Sequence, residues 1–328
     1  MVTYKKIADM SGVSESTVSK ALSGSGEIAP ITSERIRRIA CELGYYRDKR
    51  ELKRSYSGTF SPHVAIICPE IVSVFYSMLA EALIEKITSS GGRATVMISQ
   101  FGDKAVERIA DDVARNPDFD GIISMQRLTN QNTLNIPVVY VTGVEDVEAD
   151  VLYCDVTQGI DKLVEYLSDT GHKFLGFIGE MHTVYKEKIF RDSLKKHGIK
   201  TYEEYIVRSD KRFFNIGREA YLTYVERGMG LPDAVICAYD EVAFGFMSEA
   251  MKNGVQIPED ISVVGINNTP FGEVSTPTLT SINSHEEKMA HKAYEILVSR
   301  ILGSTAEYQT ICYESMIIKR GSVKERGI

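Results

Sequence analysis

The stretch TYKKIADMSGVSESTVSKALSG, residues 3–24, decides how this 328-residue chain is read. Tyr4 to Ser11 has the pattern of a short helix with Ile7 and Met10 turned inward, and Gly12-Val13 breaks it with a tight turn. Ser14 stands where it caps a second helix. On that helix, at about 100° per residue, Val18, Ala21 and Leu22 fall on one face, with Ser16, Ser19, Lys20 and Ser23 opposite. A face of short hydroxyls with one lysine suits a helix that enters the major groove, and the free N–H groups of its first turn suit phosphate. After a Gly/Ser turn from Ser23 to Gly26, a third helix is expected from about Thr32 to Leu43, where Ile36, Ile39, Ala40 and Leu43 follow helical spacing. The reading is a helix-turn-helix head, although any small three-helix bundle shares this periodicity.

Charge supports the head reading. The chain carries a net charge of −7, yet its first 60 residues hold eleven bases against seven acids, a surplus of four positive charges. The remainder therefore carries −11. A basic head on an acidic body concentrates phosphate neutralisation and counterion release where DNA would be met. The basic run continues through Arg47 to Ser57, RDKRELKRSYS, which contains five bases and reads as a linker.

From Val64 onward, apolar runs of strand length alternate with amphipathic helical stretches. VAIIC, ATVMI, GIISM and PVVYVT are separated by helices expected over Tyr76 to Ser90 and Lys104 to Asn116. The alternation resumes with Gly159 to Thr170, FLGFIG, Tyr185 to His197, Asn215 to Gly228, AVICA, Glu241 to Gly254 and SVVGI. The expectation is an α/β chain with two lobes of doubly wound parallel sheet, and with a ligand crevice between the carboxyl ends of their strands.

Several classes are set aside by composition. At 43% hydrophobic and 25% charged residues the chain is ordinary globular material. No apolar run approaches the roughly 18 residues that span a bilayer. The opening MVTYKKIADM lacks the apolar core of a signal peptide, so a cytoplasmic protein is expected. The five cysteines, Cys41, Cys68, Cys154, Cys237 and Cys312, are scattered without a CxxC pair or clustered histidines, and read as reduced, mostly buried hydrophobes with no metal site. No GxGxxG follows a strand, and no P-loop, GxSxG or HExxH occurs, so neither an enzyme nor a cofactor is expected. His172, in TGHK, is read as a capping or packing residue rather than a catalytic one.

The head closely resembles that of the lactose/galactose repressor family, whose pattern is T-x-x-x-[VI]-A-x-x-[AS]-G-V-S-x-x-T-V-S-[RK]-x-[VL]-[NS]. The likeness continues through LSDTGHKFLGFIG, PDAVICAYDEVAFGFMSEAMKNGVQIPEDISVVGINN and STPTLTSIN, and so covers nearly the whole chain. It implies a helix-turn-helix domain over residues 1–46, a hinge linker over 47–60 and a periplasmic-binding-protein-like core over 61–328. Within that core it implies one lobe of about 63–153 with 284–308, and another of 154–282 with 309–328.

Carried over residue by residue, the resemblance implies that Glu15, Ser16 and Lys20 face base edges, while Thr3, Ser14, Thr17 and Ser19 contact phosphates or fix the helix. The plainer alternatives are a cap for Ser14, surface hydroxyls for Thr17 and Ser19, and compensation of the helix dipole for Glu15. In the linker, the family's Tyr-x-Pro-Asn entry is replaced by Tyr45-Tyr46-Arg47-Asp48, and its minor-groove leucine aligns with Arg54 rather than Leu52. Three readings stay open there: Leu52 as a wedge, Arg54 in a narrowed minor groove, or a solvated charged linker.

The effector-binding positions implied by the family are Phe75, Tyr76, Leu79, Lys186, Tyr239, Asp240 and Asn267. Lys186 replaces the usual arginine, Tyr239 the usual asparagine and Asn267 the usual aspartate. The bidentate arginine fork and one carboxylate for sugar hydroxyls are therefore missing. Tyr239 offers a ring that can stack on an apolar sugar face, which keeps a carbohydrate effector in view. The implied function is a sequence-specific DNA-binding regulator, a repressor of carbohydrate-utilisation genes, with its operator affinity set by a small molecule. A pseudo-palindromic operator calls for a homodimer. The chain stops at Ile328 without leucine heptads, which favours a dimer over a tetramer. The competing reading is a small-molecule-binding module without operator binding.

Overall fold

The computed structural model describes residues 3–23, 28–43, 61–144 and 147–325. The linker with Leu52 and Arg54 lies outside the described residues.

The head is three helices, α1 (Tyr4–Ser11), α2 (Glu15–Ser23) and α3 (Pro30–Glu42). They share a core of Ile7, Ala8, Val18, Ala21, Leu22, Ile36, Ile39 and Ala40, with Val13, Ile28 and Leu43 packed against it. Gly12 ends α1 in the left-handed region (φ 66°), and its N–H returns to the Ala8 carbonyl. A side chain there is strained, which is why the turn falls at a glycine. Met10, expected inward, is 54% exposed. The inner face of α1 is instead Ile7, Ala8 and Ser11, where i, i+1 and i+4 fall together, and Met10, about 60° round from Ile7 on the side away from Ala8, lies beyond its edge.

The rest of the described chain runs β1 (His63–Cys68), α4 (Val74–Ser89), β2 (Arg93–Ile98), α5 (Asp103–Arg115), β3 (Gly121–Ser124), β4 (Val138–Tyr140), β5 (Asp150–Cys154), α6 (Val156–Asp169), β6 (Leu175–Glu180), α7 (Val184–His197), β7 (Ile206–Ser209) and α8 (Phe214–Glu226). It continues with β8 (Ala234–Cys237), α9 (Asp240–Lys252), β9 (Ser262–Val264), α10 (Phe271–Val274), β10 (Ser281–Asn283), α11 (Glu286–Ile301), β11 (Thr310–Tyr313) and β12 (Met316–Ile318). Several strands, β5, β7, β10 and β11 among them, were not among the expected runs. DVLYC and IVRS mix polar and apolar residues, and their pairing partners define them.

The described residues gather into two compact units. The first takes residues through Glu70, Ala80–Val151 and Ala290–Gln309, and the second takes Ile71–Leu79, Leu152–Met289 and the chain from Thr310. These boundaries depart from the expected lobes at two places, since residues 71–79 and 284–289 both fall with the second unit. At these two places the Val74 N–H bonds the Glu241 carboxylate (2.9 Å) and the Ser284 hydroxyl bonds Asn267 (3.4 Å), both within the second unit.

In the first unit β4, β3, β1 and β2 lie side by side, all parallel, with the start of β5 beside β4. The β1 run from Val64 to Cys68 is wholly buried, as a parallel strand covered on both faces must be. In the second unit β7, β6, β8 and β9 form a parallel sheet, and β10 pairs antiparallel with β12. The core here centres on Phe177, Phe190, Tyr224, Val235, Ile236 and Phe246. His172 is buried at 1% exposure, its Nδ1 beside the Leu167 carbonyl (3.0 Å) and its Nε2 beside the Ser262 hydroxyl (2.8 Å), so it ties α6 to β9.

Cys68 and Cys237 are buried and free, Cys154 is half-buried and Cys312 is exposed. Cys312 lies on β11, where exposed and half-buried side chains alternate along the strand. Among the described residues no helix is long and apolar enough to cross a membrane.

Candidate functional site

The head presents α2 as an exposed polar helix on a closed apolar base. Glu15, Ser16 and Lys20 are exposed, while Val18, Ala21 and Leu22 hold the opposite face in the core. Thr3 caps α1, its Oγ1 accepting the Lys6 N–H (3.4 Å). The Ser14 hydroxyl accepts the Thr17 N–H (3.1 Å) and lies 2.8 Å from the Thr17 hydroxyl, so this pair fixes the start of α2. Ser19 is half-buried on the flank of the helix.

In the second unit a set of polar side chains gathers at the carboxyl ends of the parallel strands. Glu180 is the last residue of β6, Arg212 and Phe213 follow β7, Ala238 and Tyr239 follow β8, and Gly265 to Asn267 follow β9. Strand order reverses between β6 and β8, the position at which open α/β sheets leave a crevice outside their strand ends. Two of the gathered residues flank that point and are bonded, the Tyr239 hydroxyl donating to Glu180 Oε1 (3.0 Å). The same hydroxyl accepts the Phe213 N–H (3.0 Å), and the two rings meet edge to face. Glu180 also accepts from Arg212 Nε (2.9 Å), whose guanidinium covers the Phe213 ring. Phe213 itself sits at φ 57°, a left-handed conformation that these bonds hold. Only 6% of Tyr239 is exposed, so the ring expected to stack on a sugar is chiefly a bridge between Glu180 and the turn at Phe213.

Asp240 opens α9 and is fully buried. Its carboxylate accepts the Thr269 N–H (2.6 Å) and the Ser281 hydroxyl (2.6 Å). Burial pushes its carboxyl up to about 7 against those two bonds, with the neighbouring Glu241 adding to the rise. Gly265 makes room for this carboxylate, since a Cβ there would lie 2.1 Å from Asp240 Oδ1. Lys186 reaches in from α7, its Nζ donating to the Ala238 carbonyl (2.8 Å). Burial pushes the ammonium down to about 8, while Glu241, Asp240 and Glu180 act to keep it charged. Asn267 stands at φ 101° and accepts from the Ser284 hydroxyl.

Phe75 and Tyr76, on the first turn of α4, are half-buried with their rings edge to face, 5.2 Å apart. The Val74 N–H beside them is held by Glu241, so they join the group around Asp240. Leu79 is fully buried and takes its place in the packing of α4 rather than on a surface.

Two family models match the chain, one described as bacterial regulatory proteins of the lacI family over residues 3–48, the other as a periplasmic binding protein-like domain over residues 164–323. The chain carries the helix-turn-helix domain of the lacI family of bacterial regulatory proteins and a periplasmic-binding-protein-like domain. It is a DNA-binding transcriptional regulator. Among its relatives are catabolite control protein A of Staphylococcus epidermidis, 27% identical over 86% of this chain and 87% of that one, and the HTH-type transcriptional repressor CytR of Escherichia coli, 25% identical over 98% and 96%. The fold is shared with the lac repressor dimer bound to operator and the anti-inducer ONPF, at 19% identity, 98% and 99% coverage and a TM-score of 0.73. It is shared too with a complex of the transcriptional regulator CelR with cellobiose, at 24% identity, 98% and 100% coverage and a TM-score of 0.68.

Within this chain the structure adds residues that sequence reasoning left out. Glu180 and Phe213 bond Tyr239, Arg212 bonds Glu180, and Glu241 accepts the Val74 N–H next to Phe75 in sequence. Glu180 had a signal in the sequence, an acid closing the apolar run LGFIG. Arg212 and Phe213 had none, because their place follows from the neighbouring position of β7 and β6.

Proposed function

We propose that this regulator is a homodimeric lacI-family repressor that binds a pseudo-palindromic operator and answers to a small-molecule effector, a carbohydrate or a derivative of one, held at the strand ends of the second unit. The observation that carries the reading is α2. Its apolar face is locked into the head core while Glu15, Ser16 and Lys20 stand exposed on the other side. In this reading Lys20 donates to a guanine edge, Glu15 accepts from a cytosine amino group, and Ser16 lies against the bases. Thr3, Ser14, Thr17 and Ser19 set the helix on the phosphates, and Leu52 or Arg54 reaches the minor groove.

The effector reading rests on the second unit, where Lys186, Tyr239, Asp240 and Asn267 come together at the strand ends with Phe75 and Tyr76 beside them. Such a convergence of buried polar groups fits recognition of a small polar ligand rather than turnover of one. Occupancy would alter operator affinity through a coupling of about 1 to 3 kcal/mol. The test is binding of the full-length protein to its own upstream DNA at two salt concentrations, with and without a panel of sugars, glycosides and sugar phosphates. A specific, salt-steep complex released by one compound is the expected result. Lys20→Ala should weaken the specific complex by about 1 to 3 kcal/mol. No specific complex under any condition would leave a ligand-binding module as the better description.

A further inference from the structure

One buried carboxylate beside the proposed effector residues has no part in the arrangement described so far. Glu286 opens α11 and is 7% exposed, and its Oε1 has no hydrogen-bond partner among the described residues. The path to it runs along the site. The Ser281 hydroxyl bonds Asp240, Asn283 bridges to Asn267, and the Ser284 hydroxyl bonds the Asn267 side chain. Two residues further on, the chain delivers Glu286, whose carboxylate feels the charge of Asp240.

The cations of the site are already engaged. Lys186 gives its Nζ to the Ala238 carbonyl and lies in the field of Glu241, Asp240 and Glu180. Arg212 donates through Nε to both oxygens of Glu180. Once Asp240 and Glu286, both raised to about 7, lose their protons above neutrality, four buried acids, Glu180, Asp240, Glu241 and Glu286, face two cations, Lys186 and Arg212. The surplus is then negative. A phosphate or carboxylate effector would add to it, whereas an ammonium would offset it with a charge-assisted hydrogen bond at the open oxygen.

Resting on the effector reading above, we infer that the effector of this regulator is a small hydroxylated amine, of the amino-sugar class, whose ammonium pairs with Glu286. The recognition is proton-linked. Burial first, and then the charge of Asp240, push the Glu286 carboxyl up to about 7. The groups in electrostatic contact with it are Asp240 on α9 and the Cys154 thiol at the end of β5. The carboxylate that attracts the amine therefore forms as pH rises through neutrality, and affinity rises with it until the ammonium begins to lose its own proton at about pH 8.

The experiment is calorimetric titration of the full-length protein, wild type and Glu286→Gln, with glucosamine and galactosamine, their neutral parent sugars, their N-acetyl derivatives and glucose 6-phosphate, at pH 6 and pH 8. Release of operator DNA is followed with the same compounds. The expected result is that an amine binds about tenfold or more tightly than its neutral parent, weakens toward pH 6, and loses about tenfold in Glu286→Gln. The inference is overturned if neither amine binds, if a neutral sugar or the phosphate binds as tightly as the amine, or if Glu286→Gln leaves amine affinity and its pH dependence unchanged. A neutral sugar that releases operator DNA would sink the amine and keep the regulator, whereas absence of a specific DNA complex would sink the regulator itself. A thermal melt of the variant shows that it remains folded.

Discussion

Replacing Glu286 by glutamine should stabilise the protein at alkaline pH and do progressively less as the solution is acidified. The carboxyl is raised from 4.5 to about 7 in the fold, chiefly by burial. A carboxyl raised in the folded state makes its full contribution to stability below the unfolded value and loses it as pH rises through the folded one. At pH 8 the folded protein holds a buried carboxylate that the unfolded chain ionises freely, a cost of about 3 kcal/mol from the linkage relation. At pH 5 the folded carboxyl keeps its proton and the cost has fallen to about 1 kcal/mol. Glutamine has the same shape and no charge, so the variant should gain about 2 to 2.5 kcal/mol relative to wild type between pH 5 and pH 8. Urea unfolding of both proteins at four pH values, followed by circular dichroism, measures that difference. A stability difference that stays constant across the range would show that Glu286 does not titrate near neutrality, and the charge argument would fall with it.

Two further substitutions probe the packing beneath the proposed effector site. Gly265→Ala puts a methyl carbon 2.1 Å from Asp240 Oδ1, and should cost about 1 to 3 kcal/mol in urea unfolding because the carboxylate must leave its two bonds or the strand must move. Unchanged stability would mean that Asp240 is not held where its bonds to Thr269 and Ser281 place it. Tyr239→Phe removes the hydroxyl that links Glu180 to the Phe213 N–H, leaving that N–H unmatched and Glu180 with Arg212 but one bond fewer, and should cost about 1 to 3 kcal/mol by the same assay. A loss well below that range would assign the Tyr239 hydroxyl no structural part.

The amino-acid sequence by itself determined the order of the parts. The helical spacing of Val18, Ala21 and Leu22 and the placement of Gly12 are local signals, and the head core uses these residues as read. The alternation of apolar runs with amphipathic stretches likewise named β1, β2, β3, β6 and β8 and the helices between them, because a parallel strand buried on both faces must be apolar throughout. Met10 shows where periodicity falls short, since a residue on the flank of a short helix is placed inside or outside by its neighbours in space.

Only the tertiary structure decided the composition of the candidate site. Asp240, Ser281 and Gly265 are far apart in sequence, and their mutual fit exists only once β9 and β10 have brought their loops to the start of α9. Tyr239 read as a free aromatic platform until Glu180 and the Phe213 N–H were found at its hydroxyl. No motif marks Glu286, an acid at a helix start, where exposure is the rule. Its burial beside Asp240 arises from the path of the chain through Ser281, Asn283 and Ser284, and a carboxylate's chemistry is set by that surrounding, which no spacing along the chain encodes.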